Sequence, residues 1–374
     1  MNENIRRLFP VTKNYIYLNH AAASPVSLPV YERITAHARD ILDSGLANWR
    51  EWGGVIEKAR EQAALLVNAQ PSQIAFTPNT STGISTIANG IAWRAGDNVV
   101  TADCEFPANL SPWIRLEQER GIEVRKATEV DGRIELASIL DLVNERTRVV
   151  ALSFVEFASG FRNDLRSIGH FCRERDVLFV VDAIQGLGAL KLDVIRDHVD
   201  AFSADAHKFL LGPEGAGLLY AGPRALAAVK PSVVGWMSFE SPFSFGGGRQ
   251  EYVAGARRFE PGTLNVSGIV GLGAALELFH SVGVELIEEY LLSLSSYLGS
   301  CLDEKGYEVV SSRRPGETSS IVCCRHARHS SNVLSHALEE KRIITTARMG
   351  RLRLSPHFYN TRDDIDQLID ALPG

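Results

Sequence analysis

Short apolar runs alternate with longer segments of helical periodicity through much of the chain. The apolar runs have strand character and fall at 74–76, 98–101, 123–128, 148–154, 177–182, 201–204 and 217–220. Amphipathic segments before and between these runs predict helices at 29–43, 56–67, 84–93, 109–120, 135–144 and 165–174. Strands that alternate with helices of this length predict an α/β unit built on a mainly parallel sheet.

The pattern changes at both ends of this alternation. Residues 1–20 are interpreted as an arm that lies over another part of the protein. Residues 241–248 are rich in glycine, serine and phenylalanine and predict a loop near a ligand or a partner subunit. A long helical stretch then leads into the strands and helices of a smaller α+β unit. We therefore predict an N-terminal arm at 1–20, a large domain at 21–258, and a small C-terminal domain at 259–374 that includes the arm.

Composition and charge narrow the class of protein. The chain has 374 residues, of which 45% are hydrophobic and 22% charged, as in an ordinary globular protein. Its net charge of -6 argues against a nucleic-acid or anionic-membrane partner, because phosphate binding needs a basic surface. The N-terminus lacks the apolar run of a signal peptide, and no stretch has the roughly 20 apolar residues of a membrane span.

Cysteine usage favours a reduced, cytoplasmic protein. The five cysteines are few, odd in number and irregularly spaced. The segment 323–329 clusters cysteine and histidine, but its spacing fits no common zinc pattern. We therefore expect no metal site.

Two neighbouring apolar runs end in groups that carry chemistry. The run at 177–182 delivers Asp182, and the run at 201–204 leads into His207 and Lys208. Ligands of parallel sheets bind beyond the carboxyl ends of the strands, so these groups are expected to face one crevice. Desolvation lowers the pKa of a lysine and frees its amine for Schiff-base chemistry. A carboxylate and an amine in this arrangement suit pyridoxal 5′-phosphate (PLP), which has a pyridine nitrogen and an aldehyde.

Each candidate residue also has an ordinary structural interpretation. Asp182 can cap the segment that follows it. Thr80 and Ser81 lie in a turn that opens a helix, where free backbone N–H groups form an anion site, but a simple N-cap also explains them. Phe106 either stacks on a planar ring or belongs to the core. Arg353 suits bidentate binding of a carboxylate, or a surface ion pair.

In combination, five motifs resemble those of one family. They are YLNHAA at 17–22, DAIQ at 182–185, AHK at 206–208 followed by GP at 212–213, PGTLN at 261–265 and RLSPHFYNT at 353–361. On these motifs the chain resembles the class V aminotransferases, fold-type I PLP enzymes that include cysteine desulfurases, isopenicillin-N-epimerase-like proteins and kynureninase. The resemblance covers nearly the whole chain. It implies an α/β fold with a large domain on a mainly parallel, mixed sheet, a smaller α+β C-terminal domain, and PLP as the cofactor.

The resemblance also implies roles for residues around the cofactor ring. Lys208 would form the internal aldimine and move the α-proton of the substrate. Asp182 would bind the pyridine nitrogen, and Gln185 the phenolic oxygen. Phe106 matches the position whose side chain stacks on the ring.

Other residues would hold the cofactor phosphate. Thr80, Ser81 and His207 match phosphate-binding positions. Thr263 matches a residue that reaches the phosphate of the neighbouring subunit's cofactor. The resemblance therefore implies a homodimer with shared active sites.

The substrate implied by the resemblance is a small amino acid. Arg353 matches the arginine that binds the α-carboxylate, and Asn19 and His20 are candidates for further substrate contacts. Epimerisation, transamination and β-elimination all remain open, because each follows from the same quinonoid intermediate. A cysteine desulfurase-like or C–S lyase activity is the alternative.

The sequence departs from the family in two places. Desulfurases carry a nucleophilic cysteine shortly before the carboxylate-binding arginine, but the segment 345–351 contains none. This absence argues against sulfur transfer through a protein persulfide. Asp205 occupies a position that often holds a phosphate-binding serine, and since a carboxylate repels phosphate, Asp205 is not expected to be a ligand.

The sequence argues against two other classes of function. A non-catalytic PLP-binding protein is one alternative, and the presence of Lys208, Asp182 and Arg353 argues against it. A nucleotide-dependent dehydrogenase needs a glycine-rich fingerprint after its first strand, and the fragment at 271–274 lies too late in the chain.

Overall fold

The computed structural model describes residues 3–244 and 250–374, so residues 245–248 of the predicted loop lie outside the described part. The strands are β1 Ile16–Tyr17, β2 Ile74–Thr77, β3 Asn98–Ala102, β4 Glu123–Ala127, β5 Thr147–Ser153, β6 Leu178–Asp182, β7 Ala201–Asp205, β8 Gly217–Ala221, β9 Glu308–Val309, β10 Val322–Arg325, β11 Ile343–Ile344, β12 Thr346–Arg348 and β13 Arg351–Leu354. The α-helices are α1 Glu3–Arg6, α2 Leu28–Ser44, α3 Trp49–Leu66, α4 Thr80–Gly90, α5 Pro107–Arg120, α6 Leu136–Leu140, α7 Leu165–Glu174, α8 Pro223–Ala228, α9 Val266–Val282, α10 Val284–Glu304, α11 Ser331–Glu340 and α12 Arg362–Ala371.

The central sheet has seven strands in the order β2-β8-β7-β6-β5-β3-β4. Neighbouring strands are parallel except at β8, which is antiparallel to both β2 and β7. Alternate residues of β5 enter two different cores, Val150 and Leu152 on one face and Val149 and Ala151 on the other. The predicted α/β fold with a mainly parallel, mixed sheet is confirmed.

Helix boundaries differ from the prediction where a cap or a glycine decides them. Helix α4 begins at Thr80, earlier than predicted, because the side chain of Asn79 accepts a hydrogen bond from the N–H of Thr82 and caps the helix. The long helical stretch is interrupted at Gly283, whose φ of 92° favours glycine, and α9 and α10 meet there with a bend of 81°.

The C-terminal strands form a second, antiparallel sheet in the order β12-β13-β10-β9. Strand β1 of the arm pairs in parallel with β11, so the C-terminal part of the chain holds the arm in place. Helix α9 follows the predicted domain boundary but packs against α2 and α3. The limits 1–20, 21–258 and 259–374 stay a prediction.

No single helix in residues 3–244 and 250–374 is long and apolar enough to cross a membrane. Helices α9 and α10 are long and apolar enough only when taken together, and the bend of 81° separates them.

A buried ion pair joins the segment before α9 to the edge of the central sheet. The guanidinium of Arg60 donates to both carboxylate oxygens of Glu260, at 2.7 and 3.2 Å, and to the carbonyl of Ile74 at 2.8 Å. Glu260 also accepts the backbone N–H of Phe76 at 2.7 Å. Both charged side chains are only 2% exposed. Removal of Glu260 leaves the buried guanidinium of Arg60 with only the half-exposed carboxylate of Glu57, at 3.2 Å.

Glu260→Ala is therefore expected to lower the free energy of unfolding by about 3–5 kcal/mol, as measured by urea denaturation. Glu119→Ala is the control, since it breaks an exposed pair with Arg115 at 2.9 Å and should have a much smaller effect. Equal losses in the two variants would contradict the role given to the Arg60–Glu260 pair.

Candidate active site

A cavity of about 280 Å³ lies at the carboxyl ends of β6 and β7. This volume is close to the lower end of the range for small-ligand pockets, about 300 Å³. Its lining contains most of the site residues predicted from the sequence, together with others. The lining residues are Ala21, Ala22, Asn79, Thr80, Ser81, Phe106, Ala108, Phe157, Asp182, Ile184, Gln185, Asp205, His207, Lys208, Arg348 and Arg353.

A larger cavity, of about 530 Å³, lies elsewhere on the protein. Two arginines of its lining are already paired with carboxylates, Arg133 with Glu317 and Arg162 with Glu288. Paired surface charges of this kind are structural, so the smaller cavity is the better candidate for chemistry.

Asp182 ends β6 and lines the cavity. Its carboxylate accepts a hydrogen bond from the backbone N–H of Ile184 at 3.1 Å. Burial raises the pKa of Asp182 to about 6, although the N–H of Ile184 and the charge of Lys208 both act to lower it. A buried carboxylate with so little compensation is suited to a cationic or N–H group of a ligand.

Lys208 lies just beyond β7 and is 9% exposed. Burial lowers its pKa to about 8, and the positive charges of Arg353 and Arg348 act in the same direction, while Asp182 opposes them. A lysine with this pKa carries a substantial fraction of free amine near neutral pH, as Schiff-base chemistry requires.

Phe106 lies over the amine of Lys208. The nitrogen of Lys208 is 5.5 Å from the centre of the Phe106 ring. The edge-to-face contact of Phe106 with Phe157, at 5.2 Å between centroids, holds the ring in place. Phe106 is 43% exposed, so part of its ring surface is open to a planar ligand.

One end of the cavity is suited to an anion. Thr80 and Ser81 are the first residues of α4, where backbone N–H groups have no partner within the helix. The backbone N–H of Asp205 donates to the hydroxyl of Thr80 at 3.0 Å. The carboxylate of Asp205 accepts from the N–H of Ala206 at 2.8 Å and lies 3.0 Å from Nδ1 of His207. The imidazole of His207 thus lies beside a carboxylate, while its Nδ1 makes no hydrogen bond within the described residues.

Three side chains of the cavity, those of Gln185, His207 and Arg353, have a buried polar atom without a hydrogen-bond partner in the described residues. The amide nitrogen of Gln185 donates to the carbonyl of Ala21 at 3.0 Å, but its amide oxygen is buried and unpaired. Arg353 donates to the carbonyl of Phe157 at 2.9 Å, whereas its Nε is buried and unpaired. Burial lowers the pKa of Arg353 to about 10. Unpaired buried groups are costly, so these side chains are suited to meet a ligand.

Comparison with known proteins identifies the family. The class V aminotransferase model matches residues 16–368. The chain belongs to this family. The probable cysteine desulfurase of Methanothermobacter thermautotrophicus is 29% identical, over 99% of this chain and 97% of that protein. The cysteine desulfurase of Serratia proteamaculans is 28% identical, over 99% and 97%.

Solved structures show the same fold. The cystine C–S lyase C-DES, in complex with its product cysteine persulfide, has a TM-score of 0.90 and 26% identity, over 97% of this chain and 98% of that one. A C-DES mutant with glycine covalently linked to PLP has a TM-score of 0.92 and 25% identity, over 98% of each chain. The cysteine desulfurase CsdA from Escherichia coli has a TM-score of 0.88 and 26% identity, over 99% and 97%.

This class V aminotransferase is a PLP-dependent enzyme. The cavity fits the cofactor, because it offers a buried carboxylate, an amine of lowered pKa, an open aromatic face and a helix N-terminus around one space. The relatives named above carry desulfurase and C–S lyase names and give no support to the isopenicillin-N-epimerase-like branch.

Three predicted residues lie away from the cavity lining. His20 is buried, with its ring nitrogens 2.7 Å from the Ser355 carbonyl and 2.7 Å from the Tyr359 hydroxyl. Asn19 is half-buried and bridges to Ser355 through its backbone. Thr263 is exposed and lines a different cavity. Substrate contacts of Asn19 and His20, and the phosphate contact of Thr263, stay predictions.

Sequence reasoning missed Phe157 and Arg348 and left Asp205 without a role. The position of Phe157 just after a predicted strand was a usable signal, since ligands bind beyond such ends. Arg348 was seen only as part of a segment without cysteine, and no local pattern shows that it faces Lys208. The contact of Asp205 with His207, two residues later, could not be predicted, because it depends on the conformation of the turn after β7.

A buried acidic network lies behind the cavity. Glu105 accepts hydrogen bonds from the N–H and hydroxyl of Ser153, both at 2.6 Å, and from the amide of Asn109 at 2.9 Å. Burial raises the pKa of Glu105 to about 7, and the charge of Asp182 adds to the shift. Burial and the charge of Glu105 also hold the pKa of Glu156 well above its usual range. The network therefore retains a proton more readily than exposed carboxyl groups do.

This network predicts a pH-dependent effect of Glu105→Gln. A carboxyl group whose pKa rises on folding contributes stability below its unfolded pKa, and the contribution is lost as the pH rises through about 7. Glutamine mimics the protonated form, and the unpaired side-chain oxygen of Asn109 can accept its amide. The variant should therefore gain stability relative to the wild-type enzyme as the pH rises from about 5 to about 8.

Urea denaturation of the PLP-free enzyme at several pH values measures this difference. Glu61→Gln, at an exposed position, serves as the control. A difference for Glu105→Gln that stays constant across the pH range would show that Glu105 is ionised throughout.

Gly83 fixes the position of the first turn of α4. A Cβ at Gly83 would lie 2.1 Å from the hydroxyl oxygen of Ser203, so the helix lies directly against β7. Gly83→Ala is expected to displace Thr80 and Ser81 and to weaken PLP binding by about 10- to 100-fold, the equivalent of 1–3 kcal/mol of overpacking.

PLP titration by absorbance tests this expectation. Gly53→Ala is the matched control, because its Cβ would meet nothing within 4 Å in helix α3. Equal PLP affinity in the two variants would mean that α4 does not position the phosphate.

Proposed function

We propose that this enzyme is a C–S lyase that acts on a small, sulfur-containing amino acid and releases the sulfur without attaching it to the protein. The observation that carries the proposal is that none of the five cysteines, all within the described residues, lines the cavity around Lys208. The relatives named as desulfurases and the cystine C–S lyase support C–S bond cleavage as the reaction.

The environment of the cysteines supports release rather than transfer to a protein thiol. A thiolate is the nucleophile that forms a persulfide. Burial raises the pKa of Cys323 to about 11, even though it lies opposite Arg353 in the sheet. Burial and several nearby carboxylates also hold the pKa of Cys104 far above its usual range. Neither thiol is suited to attack sulfur at neutral pH.

The cavity residues have distinct tasks in this proposal. PLP, when bound, supplies an electron sink that labilises bonds at the substrate α-carbon and its neighbours. Lys208 holds the cofactor and moves the proton at the α-carbon, a task that its pKa of about 8 suits. Asp182 provides the negative charge that keeps the pyridine nitrogen protonated. Arg353 binds the α-carboxylate and so orients the bonds to be broken.

The remaining contacts hold the cofactor in place. The first turn of α4, with Thr80 and Ser81, and the imidazole of His207 bind the phosphate. Phe106 stacks on the ring, and Gln185 contacts the phenolic oxygen. His20 supports the substrate side indirectly, through its contacts with Ser355 and Tyr359.

The proposal includes a homodimer with shared active sites in the cytoplasm. Thr263 is exposed, as a residue directed at another subunit must be. Near it, Phe76, Pro78 and Val233 line an open cavity, and Val233 is 64% exposed. Exposed apolar surface beside a cavity is typical of a protein interface.

The test is a product analysis of the PLP-bound enzyme with L-cysteine and L-cystine. The expected result is equimolar pyruvate and ammonia, with sulfide from L-cysteine and cysteine persulfide from L-cystine. Alanine as the product would instead indicate a desulfurase, keto acid without sulfur release a transaminase, and an inverted enantiomer an epimerase.

Two sets of variants complete this test. Lys208→Ala should abolish turnover, and Glu61→Ala, at an exposed position, should not. Each single Cys→Ala variant should retain turnover, because no thiol takes part. Loss of sulfur release in one folded Cys→Ala variant would overturn the proposal.

A further inference from the structure

The hairpin of β12 and β13 directs three arginines to one side. Its turn contains Met349 and Gly350, with φ values of 49° and 72°, and the strands pair with Arg348 opposite Arg351 and Thr346 opposite Arg353. Side chains alternate along a strand, and residues directly opposite each other share a face. Arg348, Arg351 and Arg353 therefore lie on the same face of the hairpin.

The three arginines differ in how their charge is balanced. Arg351 forms an ion pair with Glu129 at 2.7 Å and donates to the carbonyl of Ala158. Arg353 donates only to the carbonyl of Phe157 among its hydrogen bonds in the described residues. In those same residues, Arg348 hydrogen-bonds only the carbonyl of Ala347 and has no carboxylate within salt-bridge distance. Two guanidinium groups thus reach the cavity without a protein anion.

Arg348 is close to the reacting end of the cavity. It lines the cavity with Lys208 and Arg353, and its charge contributes to the lowered pKa of both. The acidic residues of the lining have other neighbours, since Asp182 accepts the N–H of Ile184 and interacts with Lys208, and Asp205 lies 3.0 Å from His207. An amino-acid substrate with a neutral side chain brings one carboxylate, which Arg353 takes. The charge of Arg348 then has no counterpart.

We propose that Arg348 binds a second anionic group at the end of the substrate side chain, so that the enzyme prefers amino acids with an acidic side chain over those with a neutral one. The proposal rests on the proposed function and names its substrate class. A guanidinium binds a carboxylate in a planar, bidentate geometry, and a partly exposed position leaves it free to adjust to the length of the side chain.

A matched pair of substrates tests the charge preference. S-carboxymethyl-L-cysteine and S-carbamoylmethyl-L-cysteine have nearly the same shape, and only the first has an anionic side chain. The wild-type enzyme should have the higher kcat/KM for the carboxymethyl compound. Arg348→Gln should lower that value on the order of 10- to 100-fold, the worth of a hydrogen bond to a charged group, and change the carbamoylmethyl value little.

Charge reversal gives a gain of function that misfolding does not mimic. Arg348→Glu should reverse the preference, so that S-(2-aminoethyl)-L-cysteine becomes a better substrate than the carboxymethyl compound. Arg120→Gln, at the exposed end of α5, removes the same charge elsewhere and should leave the substrate ratio unchanged. If Arg348→Gln lowers both substrate values equally, or neither, the proposal is overturned.

A binding measurement separates failure of this proposal from failure of the proposed function. Glutarate and butyrate differ by one carboxylate, and their binding is followed through the visible absorbance of bound PLP without any turnover. Glutarate should bind more tightly than butyrate to the wild-type enzyme, and Arg348→Gln should remove the difference. An enzyme that shows this pattern but cleaves no C–S bond would retain the role of Arg348 and lose the lyase assignment.

Discussion

The removal of water from two charged groups at neighbouring strand ends is the constraint on which the rest of the site depends. Burial raises the pKa of Asp182 and lowers that of Lys208, and in both cases it outweighs the attraction between them. The sheet brings them together, because β6 and β7 are parallel with Asp182 opposite Ser203. A ligand that offers a protonated nitrogen to one group and an aldehyde to the other relieves both costs. The cofactor is therefore suited to two groups whose charged forms the fold destabilises by burial.

The parts of the site that follow local patterns were predictable from the sequence. Asp182 and Lys208 come directly after apolar runs, and the turn with Thr80 precedes a helix, so the strand–helix alternation places all three at one edge of the sheet. The same alternation of strands and helices predicted the central sheet. Boundaries were less accurate, because single side-chain or glycine effects decide them, as the cap from Asn79 and the break at Gly283 illustrate.

Other features depend on register and on distant partners, which no local pattern encodes. Arg348 and Arg351 are only three positions apart, yet Arg348 lines the cavity whereas Arg351 forms an ion pair with Glu129. This difference arises from how the hairpin docks on the large sheet. His20 has a motif suited to substrate contact, but the return of the chain at Ser355 and Tyr359 buries its ring.

The acidic network behind the cavity bears on which carboxyl group carries the charge. Burial raises the pKa of three acids, Asp182, Glu105 and Glu156, and Glu105 interacts with each of the other two. For Asp182, whose pKa is raised to about 6, the N–H of Ile184 and the charge of Lys208 act against burial. Lys208 thus favours the charged form of Asp182, whereas burial favours the protonated forms of the two glutamates. A site that needs an ionised carboxylate at the pyridine nitrogen gains from this arrangement, since a proton kept by Glu105 removes a repulsion that would raise the pKa of Asp182 further.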